Sequence, residues 1–335
     1  MTTYGVIEMT ENEAAVKLFE NITALWKPWV IFTAVQLKLA ETVSTKSMTT
    51  EQLAEVSKTH ASTLHRLMRA LASLGIFKLD DDQKWTMTPM SQVLAKWTHV
   101  SNMYTNDLSP LWSKLTETVK TGLCPFEKVF GENYWQYLIS HQKEANNLTM
   151  CLQEYNEQFS TSISEYYDFK PFKNIVDLGG NKGVFLSKIL ESAPDSTGIV
   201  LDQKEVIDEA INCGVSNRIT FVVGNVLEKI PEDGDLYILK QTFLIFDDDE
   251  AETVISNISI QMKQHSRLLI IEPCMPEDNA THVGYMSDLL FFMICGTKQR
   301  TKGEFERILN KFKLRVNRII TTNSPMDDII EVVFQ

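Results

Sequence analysis

The stretch Ile175-Val-Asp-Leu-Gly-Gly-Asn-Lys-Gly183 constrains this chain more than any other. An apolar, β-branched run ending at Leu178 breaks into glycines, and Val184-Phe-Leu-Ser-Lys-Ile-Leu190 follows with apolar residues at helical spacing. Strand, glycine turn and helix open a doubly wound α/β sheet, in which a ligand lies beyond the carboxyl ends of the strands. Glycine belongs in such a turn because the backbone must bend sharply and admit a ligand without a Cβ in the way. Further strands are predicted at 198–201, 218–223, 235–239 and 267–272, helices fill the gaps, and two closing strands are expected near 314–321 and 328–334.

The ligand can be narrowed from the same residues. Gly179, Gly180 and Gly183 do not meet the dinucleotide spacing G-x-G-x-x-G, nor is there a G-x-x-x-x-G-K-[ST] phosphate loop. Asp177 stands in the approach to the turn, where a carboxylate would repel a pyrophosphate. The next strand, Gly198-Ile-Val-Leu-Asp202, ends in a second acid, which is the usual acceptor for two ribose hydroxyls. A nucleoside without a phosphate chain fits this pattern, and S-adenosylmethionine is such a ligand.

With Leu201-Asp202, Val223-Gly-Asn-Val226, Asp235-Leu-Tyr-Ile-Leu-Lys240, Asp247-Asp-Asp-Glu-Ala251, Ile271-Glu272 and Arg300-Thr301 in order behind the glycine turn, nearly the whole chain resembles a known family. It is similar to the small-molecule S-adenosylmethionine-dependent O- and N-methyltransferases of the plant caffeate/acetylserotonin type. Their bacterial secondary-metabolite relatives include phenazine N-methyltransferases. The resemblance implies a Rossmann-like class I methyltransferase domain behind an N-terminal helical and winged-helix dimerisation domain. It also implies cofactor contacts from Asp177, Gly179, Gly180, Gly183, Asp202, Asn225, Val226 and Lys240. Asn181 replaces a family glycine, and asparagine tolerates the left-handed region best among the alternatives. Asn225 replaces the aspartate that accepts the adenine amino group, and its side-chain carbonyl can still accept that bond.

Upstream, an amphipathic helix is predicted over 12–26, interrupted by Trp26-Lys-Pro-Trp29 and followed by an almost wholly apolar helix from Val30 to Leu39. Thr49 is expected to cap the next helix, and 60–75 carries leucines at helical spacing with Gly75 as a stop. A β-hairpin follows at 76–79 and 85–88, completing a winged-helix pattern. Residues 50–99 hold six Lys/Arg against five Asp/Glu, and the whole chain of 335 residues carries a net charge of −12, so no nucleic-acid footprint is expected. The organisation read here is a dimerisation domain over 1–100, a helical, aromatic-rich region over 101–170 lining the substrate pocket, and a cofactor domain over 171–335. No run approaches the length of a membrane span, no signal pattern opens the chain, and five cysteines show no paired spacing. The reading is a cytoplasmic homodimer with free thiols.

Methyl transfer from a sulfonium needs an acceptor lone pair, and a phenol near pKa 10 usually needs a base to provide one. The resemblance puts that base, a histidine, four residues after Lys240, where this chain has Leu244. A second family carboxylate is replaced by Gln299, while Glu272 remains. No catalytic residue is therefore assigned, and His282, after the fifth strand of the cofactor domain, is the candidate substitute. The expected acceptor is a ring nitrogen or an acidic oxygen on a small aromatic or heteroaromatic secondary metabolite, as in antibiotic biosynthesis. A non-methylating rearrangement or cyclisation, or a non-catalytic regulatory role, is the alternative. Substrate contacts are expected from Tyr104, Trp112, Tyr155, Phe243, Leu244, Met286 and Phe292. No metal is expected: the acids at 247–250 read as helix-start residues favoured by the dipole.

Overall fold

The computed structural model describes residues 9–159, 163–213, 216–278, 282 and 284–335. Two compact units emerge. The first holds residues up to Pro110 together with Lys143–Glu154, and the second holds Leu111–Gln142 and Tyr155–Gln335. The segment 101–170 is thus shared between them.

In the first unit, the helix Glu11–Thr23 starts with a reciprocal cap between Thr10 and Glu13 and buries none of its residues. The next helix, Trp26–Gln36, corrects the sequence reading. Pro28 lies in its first turn, where the missing N–H costs nothing, so Trp26-Lys-Pro-Trp29 begins a helix and does not interrupt one. The apolar stretch is broken by Lys38 in the left-handed region before Leu39–Thr45 resumes. Thr49 caps Thr50–Ser57 as expected, and Ala61–Ser73 buries Leu64, Met68 and Leu71. Strands β1 (Phe77–Leu79) and β2 (Trp85–Met87) pair antiparallel. Among the described residues Trp85 is the largest fully buried side chain, and its indole N–H donates to Thr50 Oγ1 at 3.0 Å, which ties the wing to the helices. A single π-helical turn at Met103–Asp107 carries Tyr104.

The second unit is built on seven strands: β3 (Asn174–Leu178), β4 (Thr197–Asp202), β5 (Ile219–Val223), β6 (Leu236–Lys240), β7 (Arg267–Glu272), β8 (Leu314–Ile320) and β9 (Asp328–Phe334). Their order is β5-β4-β3-β6-β7-β9-β8, with β3 to β7 parallel and β9 antiparallel to both β7 and β8. Helices cover both faces, so β3 is apolar without alternation: Val176 and Leu178 pack into one core layer and Ile175 into the other. Strand order reverses between β3 and β6, which opens a crevice at their carboxyl ends.

Candidate functional site

At that crevice β3 runs into a turn that only small residues can make. Gly179 has φ +76°, and a Cβ there would stand 2.9 Å from Thr242 Oγ1. Gly180 lies against the carboxyl of Asp177, so a Cβ there would come within 2.6 Å of Oδ2. Asn181 adopts φ +52°, the left-handed conformation expected of it, and Gly183 starts the helix Val184–Ser192. The turn therefore leaves a bare backbone cradle beside a helix N-terminus.

Three acids and one lysine surround this cradle. Asp177 is fully buried, its Oδ2 has no hydrogen-bond partner, and burial pushes its carboxyl up to about 7, against the pull of Lys240 and with a further push from Asp202. Asp202, at the end of β4, accepts from the Asn181 N–H at 2.8 Å and the Gln203 N–H at 2.7 Å. Burial raises its carboxyl too, opposed by those two bonds. Lys240, at the end of β6, does not point freely into the crevice: Nζ is 3.3 Å from Asp327 Oδ1 and donates to Asn156 Oδ1 at 2.9 Å. Asp327 is itself buried, and Gln241 Nε2 donates to its Oδ1 at 3.1 Å. Asn225 is exposed, with its side-chain oxygen accepting from Leu227 N–H at 3.0 Å, and the neighbouring Val226 is buried.

The residues expected to meet substrate fall into three groups. Phe243 and Leu244 form a short 3₁₀ turn and are fully buried: Phe243 stacks on Phe305 and lies under the Arg300 guanidinium, 4.9 Å away. Tyr155 turns its hydroxyl toward the 322–327 loop, 2.6 Å from Ser324 Oγ, which donates to Asp327 Oδ2 at 2.8 Å. Met286 (66 % exposed) and Trp112 (39 %) have open surface, and Phe292 is half-buried. Tyr104, in the other unit, is 51 % exposed.

Around Leu244 the chemistry is unlike that of a base-equipped site. Its backbone N–H donates to Glu272 Oε2 at 2.9 Å. Glu272 is fully buried, Oε1 has no partner, and burial drives its carboxyl up to about 8, opposed by Arg300 and by the Leu244 N–H. Arg300 spans the same turn, donating to Phe246 O at 2.9 Å and to Asp248 Oδ1 at 2.9 Å. Gln299 is buried with Oε1 accepting from Ser287 Oγ at 3.0 Å, and its Nε2 is unpartnered. His282 accepts the Gly284 N–H at Nδ1, 3.1 Å away, which leaves Nε2 to carry the ring proton. The acids at 247–250 act at their helix start, where Asp247 and Glu250 form a reciprocal cap. Sequence reasoning missed Asp327 and Asn156 at this site. The only signal was the acid pair Asp327-Asp328 heading an apolar strand.

An O-methyltransferase domain profile matches residues 112–313, and an O-methyltransferase dimerisation domain profile matches residues 19–96. The chain belongs to the O-methyltransferase family. Family members use S-adenosylmethionine, and this chain is a methyltransferase of that kind. It is 30% identical to the phenazine O-methyltransferase PhzM of Lysobacter antibioticus over 94% of this chain and 97% of that protein. Identity to the phenazine-1-carboxylate N-methyltransferase of Pseudomonas aeruginosa is 27%, covering 92% and 94% of the two chains. The crystal structure of LaPhzM superposes with a TM-score of 0.86 at 29% identity, covering 96% of this chain and 99% of that one. The residues present suit the family's cofactor. Gly179 and Gly180 pack so closely on Thr242 and Asp177 that neither position admits a Cβ, which keeps the turn's backbone bare, and the unpartnered Asp177 oxygen beside it is a place for a cation.

Proposed function

We propose that this methyltransferase acts on a small aromatic or heteroaromatic secondary metabolite, at a ring nitrogen or at an oxygen ionised before it binds. The observation that carries the reading is the pair Leu244 and Glu272. One has no proton-accepting side chain, and the other is a fully buried acid with an unpartnered oxygen, whose carboxyl burial pushes up to about 8. Similarity to enzymes named for phenazine O- and N-methylation supports the substrate class.

In this reading Asp202 accepts the two ribose hydroxyls, with lone pairs left over after its two backbone bonds. The Asp177–Gly183 turn receives the methionine half, and Asn225 with Val226 borders the adenine. Lys240 acts by holding Asp327 and the end of β6 in place, since its ammonium is already paired. Bound there, S-adenosylmethionine supplies an electrophilic methyl group on a sulfonium. That methyl would pass to the acceptor's lone pair, with the cofactor leaving as S-adenosylhomocysteine. Met286, Phe292, Trp112 and Tyr104 are the proposed acceptor contacts, with Phe243, Leu244 and Tyr155 giving shape from behind. The protein's share of the rate is then alignment, which alone can supply many powers of ten.

The homodimer is proposed to form through the first hundred residues, and the active location to be the cytoplasm. Val16, Leu18, Phe19, Ile22, Leu25 and Trp26 leave large apolar surfaces open along one short segment, a self-association surface in kind. Residues 171–335 are proposed as the cofactor domain and 101–170 as the source of substrate contacts.

The test is an acceptor panel with methyl-labelled S-adenosylmethionine: aza-arenes such as phenazines, acidic hydroxy- or carboxy-arenes, and simple phenols. Labelled product from the first two classes, with S-adenosylhomocysteine formed in equal amount, is expected. Turnover confined to simple phenols would overturn the reading.

A further inference from the structure

The carboxyl ends of β3, β4 and β6 carry a charge imbalance. Asp177, Asp202 and Asp327 are gathered there; Lys240 sits 3.3 Å from Asp327 and also donates to Asn156, and Lys182 in the glycine turn is paired with Glu209 at 3.0 Å. Asp202 has a backbone N–H on each oxygen. Asp177 alone has an oxygen with no donor, in a fully buried position under the bare Cα of Gly180. A buried carboxylate with neither a close counter-ion nor hydrogen bonds is costly enough that such a group takes up a proton instead.

We propose that binding of S-adenosylmethionine drives the proton off Asp177, whose carboxylate then faces the α-ammonium group of the cofactor. The inference rests on the cofactor assignment above and adds a proton to its binding equation. One O–H bond of Asp177 breaks, the pair stays on the carboxylate, and the proton goes to solvent. The charged groups acting on Asp177 are Lys240 from β6, which favours ionisation, and Asp202 from β4, which opposes it. On the adjoining helix Lys188 and Glu191 pair with each other at an exposed position, 3.0 Å apart, and add little net field. Burial keeps the free carboxyl near 7, so release is nearly complete at pH 6. Affinity then tightens about tenfold per pH unit on rising through the range below that value and levels off above it. A free α-amino group titrates at about 7.7–8.0, so it stays protonated over the range that matters.

S-adenosylhomocysteine, which keeps the α-ammonium group and is chemically stable, is the probe. Calorimetry at pH 6 in two buffers of different ionisation enthalpy should return about one proton released per ligand bound. Asp177→Asn should bind without release, with affinity flat between about pH 5.5 and 7. Asp202→Asn should bind more weakly and release less at pH 6 than the unmodified protein, because its lost charge no longer opposes ionisation of Asp177. Equal apparent enthalpies in the two buffers for the unmodified protein would overturn the proposal, as would release that persists in Asp177→Asn or grows in Asp202→Asn. If Asp177→Asn does not fold, the pH dependence of affinity in the unmodified protein decides alone, and a flat profile rejects the idea. Failure of the unmodified protein to bind the probe at any pH would instead remove the cofactor assignment beneath it.

Discussion

Replacing Glu272 by glutamine should make the protein more stable, and by an amount that grows with pH. The carboxyl is fully buried at the end of β7, bonded through Oε2 to the Leu244 N–H at 2.9 Å and unpartnered at Oε1. Burial raises it from 4.5 to about 8, so the folded state holds a proton that the unfolded chain gives up. Stability from this group is present below the unfolded value and drains away as pH rises through the folded one. At 1.36 kcal/mol per unit, the loss is about 1 kcal/mol by pH 5.5, about 3 by pH 7 and between about 4 and 5 by pH 8.5. Glutamine keeps the acceptor for Leu244 N–H and cannot ionise, so it escapes that loss. Urea unfolding of both proteins at pH 5.5 and 8.5 should show the gap between them widening by about 3 kcal/mol. Parallel curves would mean that Glu272 is ionised in the folded protein throughout. They would also return it to the roster of possible bases.

Asp202→Ala removes the acceptor proposed for both ribose hydroxyls and should weaken S-adenosylhomocysteine binding by about 1–3 kcal/mol, read by calorimetry, with unchanged affinity counting against the assignment. Gly180→Ala drives a methyl to within 2.6 Å of Asp177 Oδ2, so cofactor binding should fall by more than about tenfold while tryptophan fluorescence still reports a folded chain. Light scattering at micromolar concentration should give a dimer, since obligate interfaces of this kind bury more than about 2,000 Å². Phe19→Asp with Ile22→Asp should dissociate it, and a monomer from the unmodified chain would refute the proposed use of the exposed helix Glu11–Thr23.

The parallel sheet was readable because burial on both faces writes each strand as an apolar run, and because Gly179 at φ +76° must be a glycine or something close to it. Strands predicted at 174–178 and 267–272 have those limits; β4 is longer by a residue at each end, β5 starts a residue later, and β6 is shifted by one, since terminal hydrogen bonds decide. Pro28 misled because proline breaks a helix interior but suits a first turn, and periodicity does not say which applies. The Lys240–Asp327 pair was invisible for a different reason: its members are far apart in sequence and meet only because β9 runs antiparallel beside β7. The aromatic pattern of 101–170 likewise marks rings to be buried without saying where a hydroxyl points. Tyr155, directed at Ser324, is the example.

The account stands or falls on whether the protein supplies a base. The direct measurement is the single-turnover rate of methyl transfer to the best acceptor from pH 5 to 9, for the unmodified enzyme and for His282→Ala. With Leu244 at the base position and the Glu272 carboxyl raised to about 8, the chemical step should follow the acceptor's own ionisation. It should be flat for a ring nitrogen that does not titrate in the range, and His282→Ala should leave it within a few-fold. A limb with an apparent pKa of about 6–7 that disappears in His282→Ala, with a rate loss of about 10² or more at intact binding, would contradict the account, because that is what removing a general base costs.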